Sequence, residues 1–231
     1  MCSFKLNALI RDLVKRGFKE FNLHNVSGQR YIGAGLSGNI VFKVHGIPGN
    51  DLGIFMNGPN MYVYGNVQDG CGNTMNDGLI VVYGNAGDVV GYSMRGGKIF
   101  IRGDVGYRAG IHMKGYRTAP ALVIGGRAGD FLGEYMAGGV ILLLGLDENA
   151  QREVKFAGTG MHGGVIYVRG EITHFGKGAK REKINENDLQ LIHKLAKQFC
   201  ALFNFDFDKV MEQEFIKIVP VSHRPYGKLY T

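Results

Sequence analysis

The segment Gly72-Asn-Thr-Met75-Asn-Asp-Gly-Leu-Ile80-Val-Val-Tyr-Gly84-Asn-Ala-Gly-Asp-Val-Val-Gly91-Tyr-Ser-Met94 holds one full repeat of the chain and the start of the next. Working outward, Met56, Met75, Met94 and Met113 are 19 residues apart, and each follows a glycine by three positions: Gly53, Gly72, Gly91 and Gly110. Met136 and Met161 extend the series after spacings of 23 and 25, with Gly133 and Gly158 in the same places, and Leu36 with Gly33 begins it. Seven units therefore fill residues 28–170. Each ends in a short β-like run closed by glycine: Val41 to Gly46, Met61 to Gly65, Ile80 to Gly84, Ile99 to Gly103, Ala121 to Gly125, Ile141 to Gly145 and Ile166 to Gly170.

Counted back from the closing glycine, the second and fourth positions are Val44/Phe42, Val63/Met61, Val82/Ile80, Ile101/Ile99, Val123/Ala121, Leu143/Ile141 and Val168/Ile166, all apolar. Alternate strand residues share a face. Seven strands in register stack these side chains into one internal column, and a repeat that buries its face only against its neighbours is a solenoid. The period leaves no room for a helix in each unit, which points to a parallel β-solenoid of about seven coils rather than helical repeats of about 33–45 residues. At about 4.8 Å per coil it rises roughly 34 Å. The leucine-rich signature L-x-x-L-x-L and the nine-residue calcium repeat are both absent.

The flanks lack the repeat, so the chain divides into 1–27, a helix and strand cap; 28–170, the glycine repeat; and 171–231, a linker, helices and tail. Asn7 is placed to cap a helix through Arg16 that Gly17 ends, and Glu20 to Val26 reads as a strand leading into the first coil. Gly176 to Lys183 reads as a polar linker. Asn185 then opens a helix with Leu189, Ile192, Leu195, Ala196 and Phe199 at helical spacing, followed by a short helix near Asp208 to Glu214 and a strand, Phe215 to Val219. These flanks are expected to cap the open ends or lie along the side, because bare edge strands aggregate.

Composition narrows the function. Glycine contributes 37 of 231 residues while 45% of the chain is apolar, so the glycine has a repeated steric role and does not mark disorder. Cys2, Cys71 and Cys200 are far apart and form no C-x-x-C, which argues against a disulfide framework, a cysteine zinc site and an iron–sulfur cluster, and fits a cytoplasmic protein. No apolar run is long enough to span a membrane, and Asn7 to Arg16 is amphipathic where a secretory signal is apolar. The net charge of +7 is concentrated in residues 1–45, which carry seven basic and two acidic side chains. Lys5, Arg11, Lys15, Arg16 and Lys19 fall largely on the polar side of a helix without interleaved stacking aromatics, so nucleic acid is not expected as a partner.

Several patterns resemble chemical sites, and each has a plainer reading. Gly33-Ala-Gly35-Leu-Ser-Gly38 spells a dinucleotide fingerprint, but a strand-like run follows where the pyrophosphate needs a helix N-terminus, and the same spelling returns in phase at Gly158 to Gly163. Cys2 stands where an amino-terminal cysteine nucleophile would, without the surrounding domain that an oxyanion hole and a glutamine pocket require. His24, His45, His112, His162, His174, His193 and His223 show no metal-ligand spacing. Asp88 and Asp130 occupy Ala-Gly-Asp corners, where turn hydrogen bonding explains them. The stripe Met56 to Met161 is expected inside the coil rather than on copper. Catalytic residues: none; cofactor-binding residues: none; metal ligands: none.

The third position back from the closing glycine reads Lys43, Tyr62, Val81, Phe100, Leu122, Leu142 and Tyr167, so six coils are apolar on the outside as well. Strands apolar on both faces are normally covered on both. The helix from Glu186 to Phe203, about 27 Å long, is expected to cover part of this stripe. The remainder, richest near Ile124 and Leu144, is expected to bind a partner subunit or a second copy of the chain.

Residues 20–172 resemble the glycine-repeat (GXGXG) domain that ends the large subunit of glutamate synthase. The likeness is densest in Asn25-Val-Ser-Gly-Gln-Arg-Tyr-Ile-Gly-Ala-Gly-Leu-Ser-Gly, Gly133-Glu-Tyr-Met-Ala-Gly-Gly-Val-Ile-Leu-Leu-Leu-Gly and Ala157-Gly-Thr-Gly-Met-His-Gly-Gly-Val-Ile-Tyr-Val. One of the subunits of formylmethanofuran dehydrogenase shares the repeat. The resemblance implies a single-stranded right-handed parallel β-helix that holds no catalytic residue and packs between glutaminase and FMN-binding synthase domains. It further implies a noncatalytic assembly subunit, without a cofactor of its own, that joins glutaminase and FMN/iron–sulfur synthase polypeptides making glutamate from glutamine and 2-oxoglutarate. The alternatives are a scaffold subunit of a formylmethanofuran-dehydrogenase-like complex and a free-standing β-solenoid enzyme with a surface groove.

Overall fold

The computed structural model describes residues 1–146 and 154–222. After helix α1 (Ser3–Lys15) come eight strands, β1 (Glu20–Ser27), β2 (Val41–Ile47), β3 (Asn57–Tyr64), β4 (Asp77–Val82), β5 (Lys98–Ile101), β6 (Ala121–Ile124), β7 (Ala137–Leu143) and β8 (Gly163–Arg169). Each pairs in parallel with the next. A parallel β-solenoid results, with β1 leading into seven coils. Strand β9 (Ala179–Glu182), helices α2 (Glu186–Phe203) and α3 (Phe207–Met211) and strand β10 (Phe215–Pro220) complete the described chain.

The internal column forms as its periodicity requires. Val44, Val63, Val82 and Ile101 stand in register on β2 to β5, as do Phe42, Met61, Ile80 and Ile99, and all eight are completely buried. The methionine stripe lines the same interior, from Met56 to Met161. At the corner before each methionine, residues at positive φ flank the glycine, as in Val89, Gly91 and Ser93. Left-handed backbone is uncommon for a β-branched residue, and Val89 holds it with its N–H on the Tyr107 carbonyl of the next coil at 2.9 Å. Gly72 meets two demands at once. Its φ is +70°, and a Cβ there would collide with Ile99 Cδ1 of the inner column.

One coil departs from the expected register. Strand β6 pairs Leu122 with Ile99 and Ile124 with Ile101, so Leu122 and Ile124 face inward while Ala121 and Val123 face outward. The closing glycine of this coil is Gly126, whose N–H reaches the Gly103 carbonyl at 2.9 Å. Gly125 is a second glycine one position earlier, where a Cβ would strike the Phe199 ring. Counting from Gly125 shifts the frame by one residue and exchanges the faces of the strand.

Both ends are closed. Helix α1 begins at Ser3, four residues before the expected cap, because tertiary hydrogen bonds hold its first turns. The Arg30 N–H donates to Ser3 Oγ, Asn7 Nδ2 donates to the Arg30 carbonyl, and Arg11 donates to the Ala34 carbonyl. Ile10 is buried, and Leu6, Leu13 and Val14 pack on the core beside it. At the other end β10 pairs antiparallel with β8, carrying Ile216 and Ile218 across from Val168 and Ile166 to extend the column. The segment read as a linker forms β9, antiparallel to β10 at the sheet edge. Its Ala-Lys-Arg-Glu composition suits a charged edge strand.

Candidate functional site

Helix α2 starts where its capping box directs. Asn185 accepts from the Asp188 N–H, and Asp188 accepts from the Asn185 N–H. Ile192, Leu195, Ala196, Phe199 and Phe203 lie on its buried side, against the outward-facing Val81, Phe100, Val123, Leu142 and Tyr167. Asp188 is also the hinge of a polar cluster, accepting from Tyr167 Oη at 2.5 Å and Lys217 Nζ at 3.0 Å, while Lys217 reaches Glu182 at 3.0 Å. Burial alone would raise the Asp188 pKa, but the hydrogen bonds from Tyr167, the Asn185 N–H and Lys217 outweigh it and hold the carboxyl below the usual range. Burial would lower Lys217, yet Asp188 and Glu182 raise it. Burial together with Asp188 pushes the Tyr167 hydroxyl up.

The helix accounts for most of the outer stripe and moves its uncovered part. Ile124 belongs to the inner column and Leu144 is buried in the cluster beneath α2, so neither offers a surface to a partner. Coil one stays uncovered, and coil two largely so, with Tyr62 packed at the margin of the cluster beneath α2. Their outward positions are Lys43, exposed, and Tyr62, half-buried. Beside them, His24, His45, Tyr64 and Tyr83 form a ladder of stacked rings with centroids 4.7, 4.7 and 4.9 Å apart, which ends edge-on against Phe203. On the same outer face a groove of about 680 Å³ runs between Leu79, Lys98 and Phe100 of the sheet and Gln198, Ala201 and Leu202 of α2. Lys98 Nζ donates to Gln198 at 2.9 Å, and burial with nearby Lys194 lowers its pKa.

A second surface lies at the corner around the methionines. Tyr92, Arg95, His112, Lys114, Tyr135 and His162 border a concavity of about 430 Å³. The His112 ring stacks on Tyr135 at 5.3 Å and meets Tyr92 edge-on at 5.9 Å.

The sequence patterns that resemble chemical sites take structural places. Gly33, Gly35 and Gly38 have positive φ in the corner between β1 and β2, and no helix follows them. Cys2 is exposed just before α1, whereas Cys71 is buried and its thiol is pushed up to about 12 by burial. Asp88 Oδ1 accepts the Tyr107 N–H at 2.8 Å, and Asp130 Oδ1 accepts the Lys155 N–H at 3.2 Å. They belong to side-chain ladders such as Asn66 to Asn85 to Asp104, in which each carbonyl or carboxylate oxygen holds the backbone of the next coil. The structure brings together His24 with His45, and His112 with His162, but not the remaining histidines, and His223 lies outside the described residues. Among the described residues no cluster of three or more His, Cys, Asp or Glu side chains is arranged to hold a metal ion. No described helix is long and apolar enough to cross a membrane.

Sequence reasoning missed both ring systems. The first was visible as the residue before the closing glycine, His45, Tyr64 and Tyr83. Two rings of the second, His112 and Tyr135, were visible as the residue before the methionine, whereas Tyr92 stands one position earlier in its coil, before Ser93.

The family model described as "GXGXG motif" matches residues 14–221. The chain is also 50% identical over 240 residues to the "Uncharacterized protein MJ1350" of Methanocaldococcus jannaschii, an alignment covering 98% of this chain and 92% of that protein.

Proposed function

The chain belongs to the GXGXG motif family, and from that membership we propose that it is a noncatalytic assembly subunit of a glutamate synthase-type complex. In this reading it joins a glutaminase polypeptide to an FMN/iron–sulfur synthase polypeptide in the cytoplasm. The family is associated with glutamate synthase-type oxidoreductases, and its repeat in this chain is given over to packing.

The observation that carries the reading is the two-sided use of the coil. Its interior is filled by the apolar columns and the methionines. The outer face divides between a part closed by α2 and an open part with an aromatic ladder and an apolar groove. Interfaces are enriched in tyrosine and other aromatic residues, which favours the open part, around Tyr62 and Tyr64, as the partner's seat.

Affinity purification of the chain from native extract, with mass spectrometry of what accompanies it, tests the assignment. Glutaminase and FMN synthase polypeptides are expected in the eluate. Recovery of formylmethanofuran-dehydrogenase-like subunits instead would transfer the chain to that assembly. The isolated chain is expected to release no glutamate from glutamine, and hydrolysis that disappears in Cys2→Ala would make it an enzyme in its own right.

A further inference from the structure

We propose that the corner concavity around Arg95 and Lys114 is a binding site for a phosphorylated planar molecule of the nucleoside di- or triphosphate class. The inference does not depend on the assembly role. It starts from the repeat, because the residue after each methionine occupies the same place in every coil. The N–H groups of Arg95, Lys114, Ala137 and His162 reach the carbonyls of Met75, Met94, Met113 and Met136 in turn. The column of side chains at this position therefore reads Arg, Lys, Ala, His, with about 4.8 Å per step. Arg95 and Lys114 are both exposed and form no ion pair or side-chain hydrogen bond with any described residue.

Like charges on adjacent coils repel, and elsewhere in the solenoid two cations are answered by carboxylates of a neighbouring coil. Arg127 is bonded to Asp104, and Arg108 to Glu134. At Arg95 and Lys114 the answering charge is missing. None of the eight residues lining the concavity is acidic, and Glu134, next in sequence to the lining residue Tyr135, is committed to Arg108 at 2.8 Å. An arginine fork and a lysine one coil apart suit the successive phosphates of a di- or triphosphate. The rings specify the rest of the ligand. Tyr92 and Tyr135 are 37% and 45% exposed at the wall of the same concavity, and because His112 and the Gly160 backbone already lie against the Tyr135 ring, a flat ring system meets them at their exposed edges. The volume, about 430 Å³, falls within the usual range for small-molecule sites, about 300–1,000 Å³.

Isothermal titration of the full chain with ATP, pyrophosphate and adenosine, without divalent cations, tests the site. ATP and pyrophosphate are expected to bind, with adenosine at least tenfold weaker than ATP. R95Q/K114Q should weaken ATP at least tenfold, R95K/K114R should retain it, and both should melt as the parent does. K5Q/K15Q, which removes charge from the basic helix α1, should leave ATP binding within twofold. Tyr135→Ala should weaken ATP severalfold while leaving pyrophosphate unchanged. The site is overturned if neither ATP nor pyrophosphate binds at millimolar concentration, if R95Q/K114Q binds ATP as the parent does, or if K5Q/K15Q loses as much. Equal weakening of ATP and pyrophosphate by Tyr135→Ala would overturn the ring's role and with it the planar ligand.

Discussion

The coils beneath α2 and the coils before them share one interior and differ outside. Phe42, Met61 and Ile80 continue inward without a break into Ile99 and Leu122. On the outside, Lys43 and Tyr62 give way to Val81, Phe100, Val123, Leu142 and Tyr167, and the change coincides with where the helix lies. The inward positions therefore build the coil, whereas the outward positions decide what lies upon it. Apolar residues on both faces of a parallel strand call for a second layer, and this chain supplies that layer from its own C-terminal segment.

The comparison breaks most completely if the shared interior is attacked. Ile101→Asp places an unpaired carboxylate in the column and should cost about 3–5 kcal/mol or more, lowering the melting temperature by many degrees in calorimetry. A melt within a degree or two of the parent would mean that Ile101 is not buried.

The outer layer comes next. Val123→Lys with Leu142→Lys should release α2, because Ile192, Leu195, Phe199 and Phe203 each contribute about 1.5–3 kcal/mol by burial. Hydrogen exchange should then show loss of protection over 186–203 with the strands retained. Tyr62→Lys, the matching change on the uncovered side, should cost under about 1 kcal/mol. Similar losses at both places would remove the distinction between the two faces.

A smaller effect is tied to pH. The Asp188 pKa is depressed in the folded chain, so its contribution is present above the ordinary carboxylate pKa and is lost as pH falls through the lower folded value. Asp188→Asn should reduce stability by about 1–3 kcal/mol near neutral pH and flatten the acid limb of the stability profile. The raised pKa of Lys217 acts at the other extreme: its contribution is present below the ordinary lysine pKa and fades as pH rises through the higher folded value. An acid limb unchanged in Asp188→Asn would mean that the Asp188 carboxylate does not stabilise the fold through its bonds to Tyr167 and Lys217.

The smallest effect belongs to the corners. Asn85→Ala removes the side-chain acceptor for the exposed Asp104 N–H and should cost about 0.5–1.5 kcal/mol. A loss in chemical denaturation as large as that of Ile101→Asp would show that the ladder carries as much of the coil as the interior does.

What could be read in advance follows the range of each interaction. The coil count and inner column were legible because methionine and glycine recur at fixed offsets, and Asn185 announced α2 by the local chemistry of its capping box. The frame of β6 was not legible. Gly125 and Gly126 are neighbours in sequence, and only the Phe199 ring, 74 residues further on, distinguishes the one that must clear a helix from the one that closes the coil. The start of α1 depends in the same way on bonds to Arg30 and Ala34 that no helix signal encodes. For the candidate surfaces, the ring ladder was written at a constant offset, but the concavity requires knowing that Arg95 and Lys114 meet no carboxylate across the coils, which is a property of the assembled corner.

The claim that the uncovered coils receive the partner is tested most directly by hydrogen exchange on the chain alone and in its co-purified complex. The account predicts added protection in β2 and β3, around Lys43, Tyr62 and Tyr64, with little change beneath α2. Protection confined to α2 or to the C-terminal strands, with β2 and β3 unchanged, would contradict it.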